Sequence, residues 1–225
     1  MNALGADVSL WNDDNSTAQQ VNFEKAKAQG LDFVFIKSSQ RTFADPDFIY
    51  NWNNAKRAGI LRGAYHFLVW DKKGSSQADF CYGMLEKDMP ELPIICDFEW
   101  YKEIPAKAFD FIYSFLERMK QHTDHPLGIY TAKSFWDQYG TKGVYWQQYI
   151  LWLCDISGPV AVPQPWEQWD FWQYTFKGDG LRYGMESKDL DLNWYNGTLQ
   201  EMCQRFGITR PEETTNTVYL PGVFG

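Results

Sequence analysis

With 225 residues the chain is long enough to form one large domain, or one domain and a small appendage, around a substantial core. Apolar residues at 44% and charged residues at 22% are the proportions of a soluble globular protein and exclude disordered and fibrous classes. A formal charge of −8 with no run of Lys or Arg excludes a nucleic-acid groove, which rests on clustered cations, and leaves a neutral or weakly charged ligand as the easier one to hold.

Eight short apolar runs rich in Val, Ile and Phe punctuate the chain and, up to about Asp155, alternate with longer helical patterns, the signature of repeated βα units. In chain order the sequence predicts a strand at 4–9, a helix at 23–29 ended by Gly30, a strand at 32–38, a helix at 47–58 ended by Gly59 and a strand at 61–67. A helix at 76–87, a strand at 92–98 and a helix at 105–121 with Pro105 in its first turn follow. The remaining strands are predicted at 127–130, 149–154, 170–174 and 188–193. The stretches 157–168 and 175–187 are irregular in composition, too rich in Pro and Gly for full helices. The expectation is an α/β fold, a (β/α) barrel of eight strands with fewer helices, in residues 1–207. Residues 208–225, with Pro211, Pro221 and a Thr-rich middle, read as a tail or linker.

Three further features bear on chemistry. Eleven Trp, thirteen Tyr and sixteen Phe exceed what a core of this size needs, so some rings are expected to face a ligand while most pack. Cys81, Cys96, Cys154 and Cys203 are scattered, and are expected to be buried free thiols rather than zinc ligands or a disulfide framework. The N-terminus has no basic segment followed by an apolar stretch, and no run approaches about 18 apolar residues, so membrane insertion is not expected.

In Ile94-Ile95-Cys96-Asp97-Phe98-Glu99-Trp100 an apolar strand ends in two acids one residue apart. Side chains at i and i+2 share a face, with Cα atoms roughly 6.6 Å apart at about 3.3 Å per residue. Alone, the pair reads equally as two solvated acids in a loop or as a catalytic pair. Asp7 at the end of the first strand and Asp191 in the last shift the balance, because first and last strands adjoin in a closed barrel whose strand ends build the active site. Four carboxylates in one cavity are costly unless they share protons or bind a cation, and crowding is expected to raise at least one pKa. A carboxyl kept protonated near neutral pH is what a general acid needs. Trp70, Trp100, Tyr101, Trp169 and Trp172, near strand ends, favour as a set a carbohydrate cleft, although packing is the better reading of any one of them. His122-Thr123-Asp124-His125 has metal-site spacing but lies in a polar connection, and no phosphate loop or Gly-x-Ser-x-Gly elbow is present.

The chain resembles the family 25 glycoside hydrolases, the lysozymes of fungal, bacterial and phage origin. The resemblance runs through Gly5-Ala6-Asp7-Val8-Ser9-Leu10-Trp11, Phe33-Val34-Phe35-Ile36-Lys37, the segment from Ala58 to Phe67, Asp97-Phe98-Glu99, Gly128-Ile129-Tyr130-Thr131, Trp172-Gln173-Tyr174 and the segment from Asp191 to Gly197. It implies a flattened, irregular TIM-like barrel and cleavage of the β-1,4 bond between N-acetylmuramic acid and N-acetylglucosamine, with the glycan strands of peptidoglycan as partner. It also implies Glu99 as general acid/base and Asp97 as the acid that stabilises an oxocarbenium-like state or an intermediate formed by the substrate's acetamido group. Asp7 and Asp191 are the remaining acids of the cleft, and Tyr65, His66, Gln40, Trp100, Tyr130 and Trp172 are candidate substrate contacts. No cofactor or metal is implied.

Two departures from the family pattern stand out. Many relatives carry Lys-Ala-Thr-Glu-Gly where this chain has Lys37-Ser38-Ser39-Gln40-Arg41, so an acid often counted in the cleft becomes an amide. The run Leu151-Trp152-Leu153-Cys154-Asp155 departs from the usual Leu-Trp-x-Ala-x-Tyr. They motivate a second reading, a catalytically weak wall-binding or virion-associated module; a chitin-degrading barrel is a third. A phage lysin held in the host cytoplasm until lysis, with a possible separate wall-binding partner or domain, is the expected biological setting, or a secreted enzyme where a leader has been trimmed.

Overall fold

The structure, a computed structural model, describes residues 1–157 and 160–209. Nine strands and six α-helices make up the described residues: β1 (Leu4–Val8), α1 (Phe23–Ala28), β2 (Phe33–Gln40), β3 (Phe43–Ala44), α2 (Phe48–Arg57), β4 (Leu61–Phe67), α3 (Gly74–Leu85), β5 (Ile94–Asp97), α4 (Ala108–His122), β6 (Leu127–Ala132), α5 (Lys133–Tyr139), β7 (Ile150–Cys154), β8 (Phe171–Asp179), β9 (Asp189–Tyr195) and α6 (Leu199–Phe206). Eight strands close a barrel in the order β1-β9-β8-β7-β6-β5-β4-β2, with β2 pairing back onto β1, and β3 is a two-residue antiparallel addition to β2.

All eight predicted barrel strands are present, and β1, β2, β4, β5, β6, β7 and β8 pair with one another in parallel. The closing strand differs, since β9 is antiparallel to both β8 and β1. A parallel return needs a crossover of a dozen or more residues, and only residues 180–188 separate β8 from β9, so the chain turns back as a hairpin. The same hairpin carries β8 on to Asp179, into a segment whose composition reads as irregular. Sequence also gives no helix at α5 or α6. The seven residues of α5 lack a side-chain N-cap, so their signal is weak. The signal for α6 is present, in the capping box of Thr198 with Glu201 and in Gly207 at φ 65° just past its end.

Alternation along the strands sorts side chains into two layers. Outward residues such as Val34, Ile36, Ala64, Cys96 and Ile129 pack with Trp52, Cys81, Phe115, Met119 and Trp136 from the surrounding helices. Inward residues Phe33, Phe35, Ile95, Trp152 and Phe171 fill the barrel, and Met202 from α6, with Leu199, Phe206 and Ile208 beside it, closes its floor. Phe35 stacks on Trp152 with centroids 4.4 Å apart and meets Phe171 edge-on at 4.9 Å. Some of the aromatic content forms this floor, and more of it packs outside the barrel, with Phe48, Trp52, Phe98, Phe115, Phe135 and Trp136 among those rings. The floor rings fit because Gly5 and Gly63 face them: a Cβ at Gly5 would lie 2.3 Å from the Phe33 ring and one at Gly63 2.2 Å from the Phe35 ring. Ile208 packs under the barrel, while the rest of the expected tail, from 210 on, lies outside the described residues.

Gly63→Ala is expected to destabilise the fold by about 1–3 kcal/mol, because Phe35 is pinned by Trp152 and Phe171 and cannot move aside. Urea denaturation measures this, and an unchanged midpoint would show that the ring floor is looser than described.

Candidate active site

Above the aromatic floor the inward residues become polar. Asp7, Lys37, Tyr65, Asp97, Tyr130, Trp152 and Gln173 project from the seven parallel strands and Asp191 from β9, and with Glu99, Ser9 and Trp11 they line a cleft of about 430 Å³. Glu99 follows β5 by two residues and so keeps the face of Asp97. Asp191 lies opposite Asp7 in the β1–β9 register, which is how a residue in the middle of an antiparallel strand reaches the end of a parallel one. The four predicted acids share this one cavity.

A hydrogen-bond chain rises from the floor to two of these acids. Trp152 Nε1 donates to Asn193 Oδ1 at 2.7 Å, and Asn193 Nδ2 donates to Asp7 Oδ2 at 2.8 Å. Tyr130 donates its hydroxyl to Gln173 Oε1 at 2.7 Å, and Gln173 Nε2 is shared between Asp7 Oδ2 at 3.1 Å and Asp191 Oδ2 at 3.0 Å. Because an indole N–H and a phenol hold the amide oxygens, the amide N–H groups must point at the carboxylates. Asp97 is treated differently. It is 5% exposed, and its Oδ1 is buried with no partner among the described residues.

Burial dominates the electrostatics. It holds Asp7 well above the usual carboxylate range, helped by the charge of Asp191 and opposed by the Asn193 and Gln173 hydrogen bonds. Asp97 is raised in the same way, by burial and then by Glu99, against Lys37. Glu99 is pushed up to about 7 by burial and the Asp191 charge, with Lys37 pulling down, and Asp191 rises to about 6, chiefly through burial. The expected upward shift extends to all four acids. Lys37, 8% exposed, is the cation set against them, and it donates through Nζ to Gln40 Oε1 at 3.0 Å. Among the described residues no three His, Cys, Asp or Glu side chains form a metal site.

Of the expected contacts, Tyr65 and Tyr130 line the cleft, whereas Gln40 lines the neighbouring cavity and accepts from Lys37. His66 and Trp172 do not line the cleft. Each is one residue from an inward position, Tyr65 and Gln173, so alternation turns them outward. His66 is fully buried between Ser39 and Gln77, stacks on Phe115 at 5.1 Å and is pushed down to about 4 by burial. Trp172 donates to Asp155 O at 2.7 Å and packs on Trp169. Trp100 is half-exposed against Phe135 and lies outside the cleft lining. Trp70 is a packing residue, its indole on Tyr101 O. His122 and His125 part company, the first on Asp79 and the second on the Leu92 carbonyl. Cys81, Cys96 and Cys154 are free thiols, Cys154 partly exposed, and Cys203 is buried.

Sequence reasoning did not single out Trp11, Lys37, Trp152, Gln173 or Asn193. All but Trp11, which follows β1, lie on predicted strands; Lys37, Trp152 and Gln173 fall at inward-facing positions, a signal that was available, whereas the amide network itself depends on the β8–β9 register.

Comparison with known proteins adds to this geometry. The family model for Glycosyl hydrolases family 25 matches residues 6–180. Lysozyme M1 of Streptomyces globisporus is 32% identical over 213 residues, covering 86% of this chain and 68% of its own length. The crystal structure of the bacterial lysozyme from Streptomyces coelicolor superposes with a TM-score of 0.77 at 26% identity, covering 93% of this chain and 99% of that one. The lysozyme of the same family from Aspergillus fumigatus gives 0.73 at 28% identity, covering 92% and 99%.

A raised carboxyl pKa has a defined consequence for stability. The folded protein keeps the Glu99 proton up to about pH 7 while the unfolded chain releases it near 4.5, so folding stability is lost as pH rises across that window. Glu99→Gln removes the titration. It is expected to stabilise the protein by on the order of 2–3 kcal/mol above pH 7, the gain fading towards pH 4.5. Thermal melts across this range check it, and a pH-independent difference would contradict the burial argument.

Proposed function

The chain belongs to the glycosyl hydrolases family 25, and from that premise we propose that this glycoside hydrolase is an N-acetylmuramidase that cleaves the β-1,4 bond between N-acetylmuramic acid and N-acetylglucosamine in peptidoglycan, with Glu99 as its general acid/base. The observation that carries the assignment is Glu99 itself, a carboxyl held protonated to about pH 7 at the cleft wall on the same strand face as Asp97. The site of action is the bacterial wall.

Glu99 protonates the leaving glycosidic oxygen, and positive charge builds at the sugar carbon. Asp97 is the group placed to stabilise it. Its orphaned Oδ1 is a buried acceptor awaiting a donor, and an acetamido N–H of the substrate supplies one. That hydrogen bond, with Lys37 nearby, favours the ionised form of Asp97. Water then completes hydrolysis with Glu99, now ionised, as base. Asp7 and Asp191 sit opposite. Held by Gln173 and Asn193, they are fixed in position, and burial together with the Asp191 charge keeps the proton on Glu99 before substrate binds. The amide at Gln40 leaves this machinery intact, since its oxygen anchors Lys37.

Digestion of purified cell walls should release fragments with new muramic acid reducing ends. Glu99→Gln should lower kcat by about 10²-fold or more. Activity of the unmodified enzyme should fall above about pH 7, where the general acid loses its proton. Binding to walls without new reducing ends would favour the wall-binding module instead, and preferential turnover of chitin oligomers the chitin-degrading barrel.

A further inference from the structure

Beside the sugar cleft, and sharing Lys37 with it, lies a second cavity of about 410 Å³ between the β2–β3 turn and the loop after β5. Arg41 and Lys102 line it, together with Phe43 and Tyr101. Among the described residues these two cations are the non-glycine residues with left-handed backbone, at φ 60° and 53°. Such a conformation is uncommon for a long side chain and persists where the surroundings over-determine it. At such a φ the ordinary solution is Gly. Arg41 places a guanidinium there instead, and its neighbour Gln40 is neutral. In the cavity lining Lys37, Arg41 and Lys102 outnumber Asp45 and Asp71.

Of the two acids in this lining, Asp71 pairs with Arg41 and Asp45 is held by backbone donors. Arg41 commits its Nε to Asp71 at 3.0 Å, leaving both Nη nitrogens without a protein acceptor among the described residues. Asp45 is engaged by the backbone N–H groups of Leu10 and Asp47 at 3.2 and 3.1 Å. The Lys102 ammonium rests over the Tyr101 ring at 4.9 Å, and the Arg41 guanidinium over Phe43 at 5.5 Å, so apolar surface backs both cations. Guanidinium Nη pairs and ammonium groups match carboxylates.

We infer that the Arg41–Lys102 cavity is a carboxylate-binding subsite that holds an acidic substituent of the muramic acid residue lying in the adjoining cleft. The inference rests on the muramidase reading for the identity of the sugar. The carboxylate has two sources, the lactyl group of an unsubstituted muramic acid and the peptide attached to it. In either case the subsite makes the enzyme favour muramyl glycans over chitin, which carries no carboxylate.

The test is binding, measured by titration calorimetry in the Glu99→Gln protein so that nothing is consumed. The probes are an oligosaccharide of alternating N-acetylglucosamine and peptide-bearing N-acetylmuramic acid, the same oligosaccharide stripped of peptide, and a chitin oligomer of equal length. Arg41→Gly keeps the left-handed backbone, and Lys102→Asn keeps a residue that tolerates it. Each is expected to weaken binding of a muramyl probe about threefold to tenfold and to leave chitin binding unchanged. Weakening confined to the peptide-bearing probe identifies the peptide as the source, and weakening of both identifies the lactyl group. Equal weakening of chitin, or no change for any probe, overturns the subsite. Turnover by the unmodified enzyme is read separately. If Arg41-dependent binding is found and no wall is cleaved, the muramidase reading fails and the anion subsite stands.

Discussion

Four carboxylates at the barrel mouth stand over packed aromatic rings, with one buried lysine as their countercharge, and the behaviour of the site follows from that placement. Phe35, Trp152 and Phe171 pack together beneath the acids, so ionisation is opposed by desolvation before any mutual repulsion is counted. Repulsion then adds to it, since Asp191 acts on both Asp7 and Glu99, and Glu99 on Asp97. Hydrogen bonds decide which acids are restrained. Asp7 receives two amide donors and Asp191 one, whereas Asp97 retains an orphaned oxygen. The acids thus differ in role because their surroundings differ, which is how chemically similar groups are divided into acid and stabiliser.

Closing the barrel with an antiparallel strand is what completes this site. In the β1–β9 register Asp7 faces Asp191 and Gly5 faces Asn193, and in the β8–β9 register Gln173 faces Asn193. One short hairpin thereby brings the carboxamides and the carboxylates they orient to the same end of the barrel. The floor supports the same arrangement from below. Trp152 stacks on Phe35 and lends its indole N–H to Asn193, so a packing residue also sets the direction of an amide that holds Asp7.

Strands were legible in the sequence because period-two and continuous apolar runs survive in each, and the site acids were legible because they end or interrupt such runs. The direction of β9 was not, since strand polarity leaves no mark on the residues and is fixed by the length of the connection. His66 and Trp172 show a different failure. They sit in segments that match known lysozymes, but a match does not say which face a side chain takes, and counting by twos from Tyr65 and Gln173 does. Gln173, Asn193 and Lys37 carry no chemical signature of their own; they acquire meaning only when the strands are brought into register. Arg41 is the converse case. Its departure from glycine was visible in the sequence, and its backbone conformation together with the cavity it faces turns that departure into a chemical question.

A protonated Glu99 at neutral pH in a buried group of acids underlies the chemistry proposed for the cleft. Infrared difference spectra of the carboxyl stretch, recorded as pH is varied and compared with Glu99→Gln, measure that state without requiring substrate. A protonated carboxyl band that disappears at about pH 7 and is missing from the Glu99→Gln protein is the predicted result. Loss of the Glu99 band near pH 4.5, the value of an unburied glutamate, would contradict it.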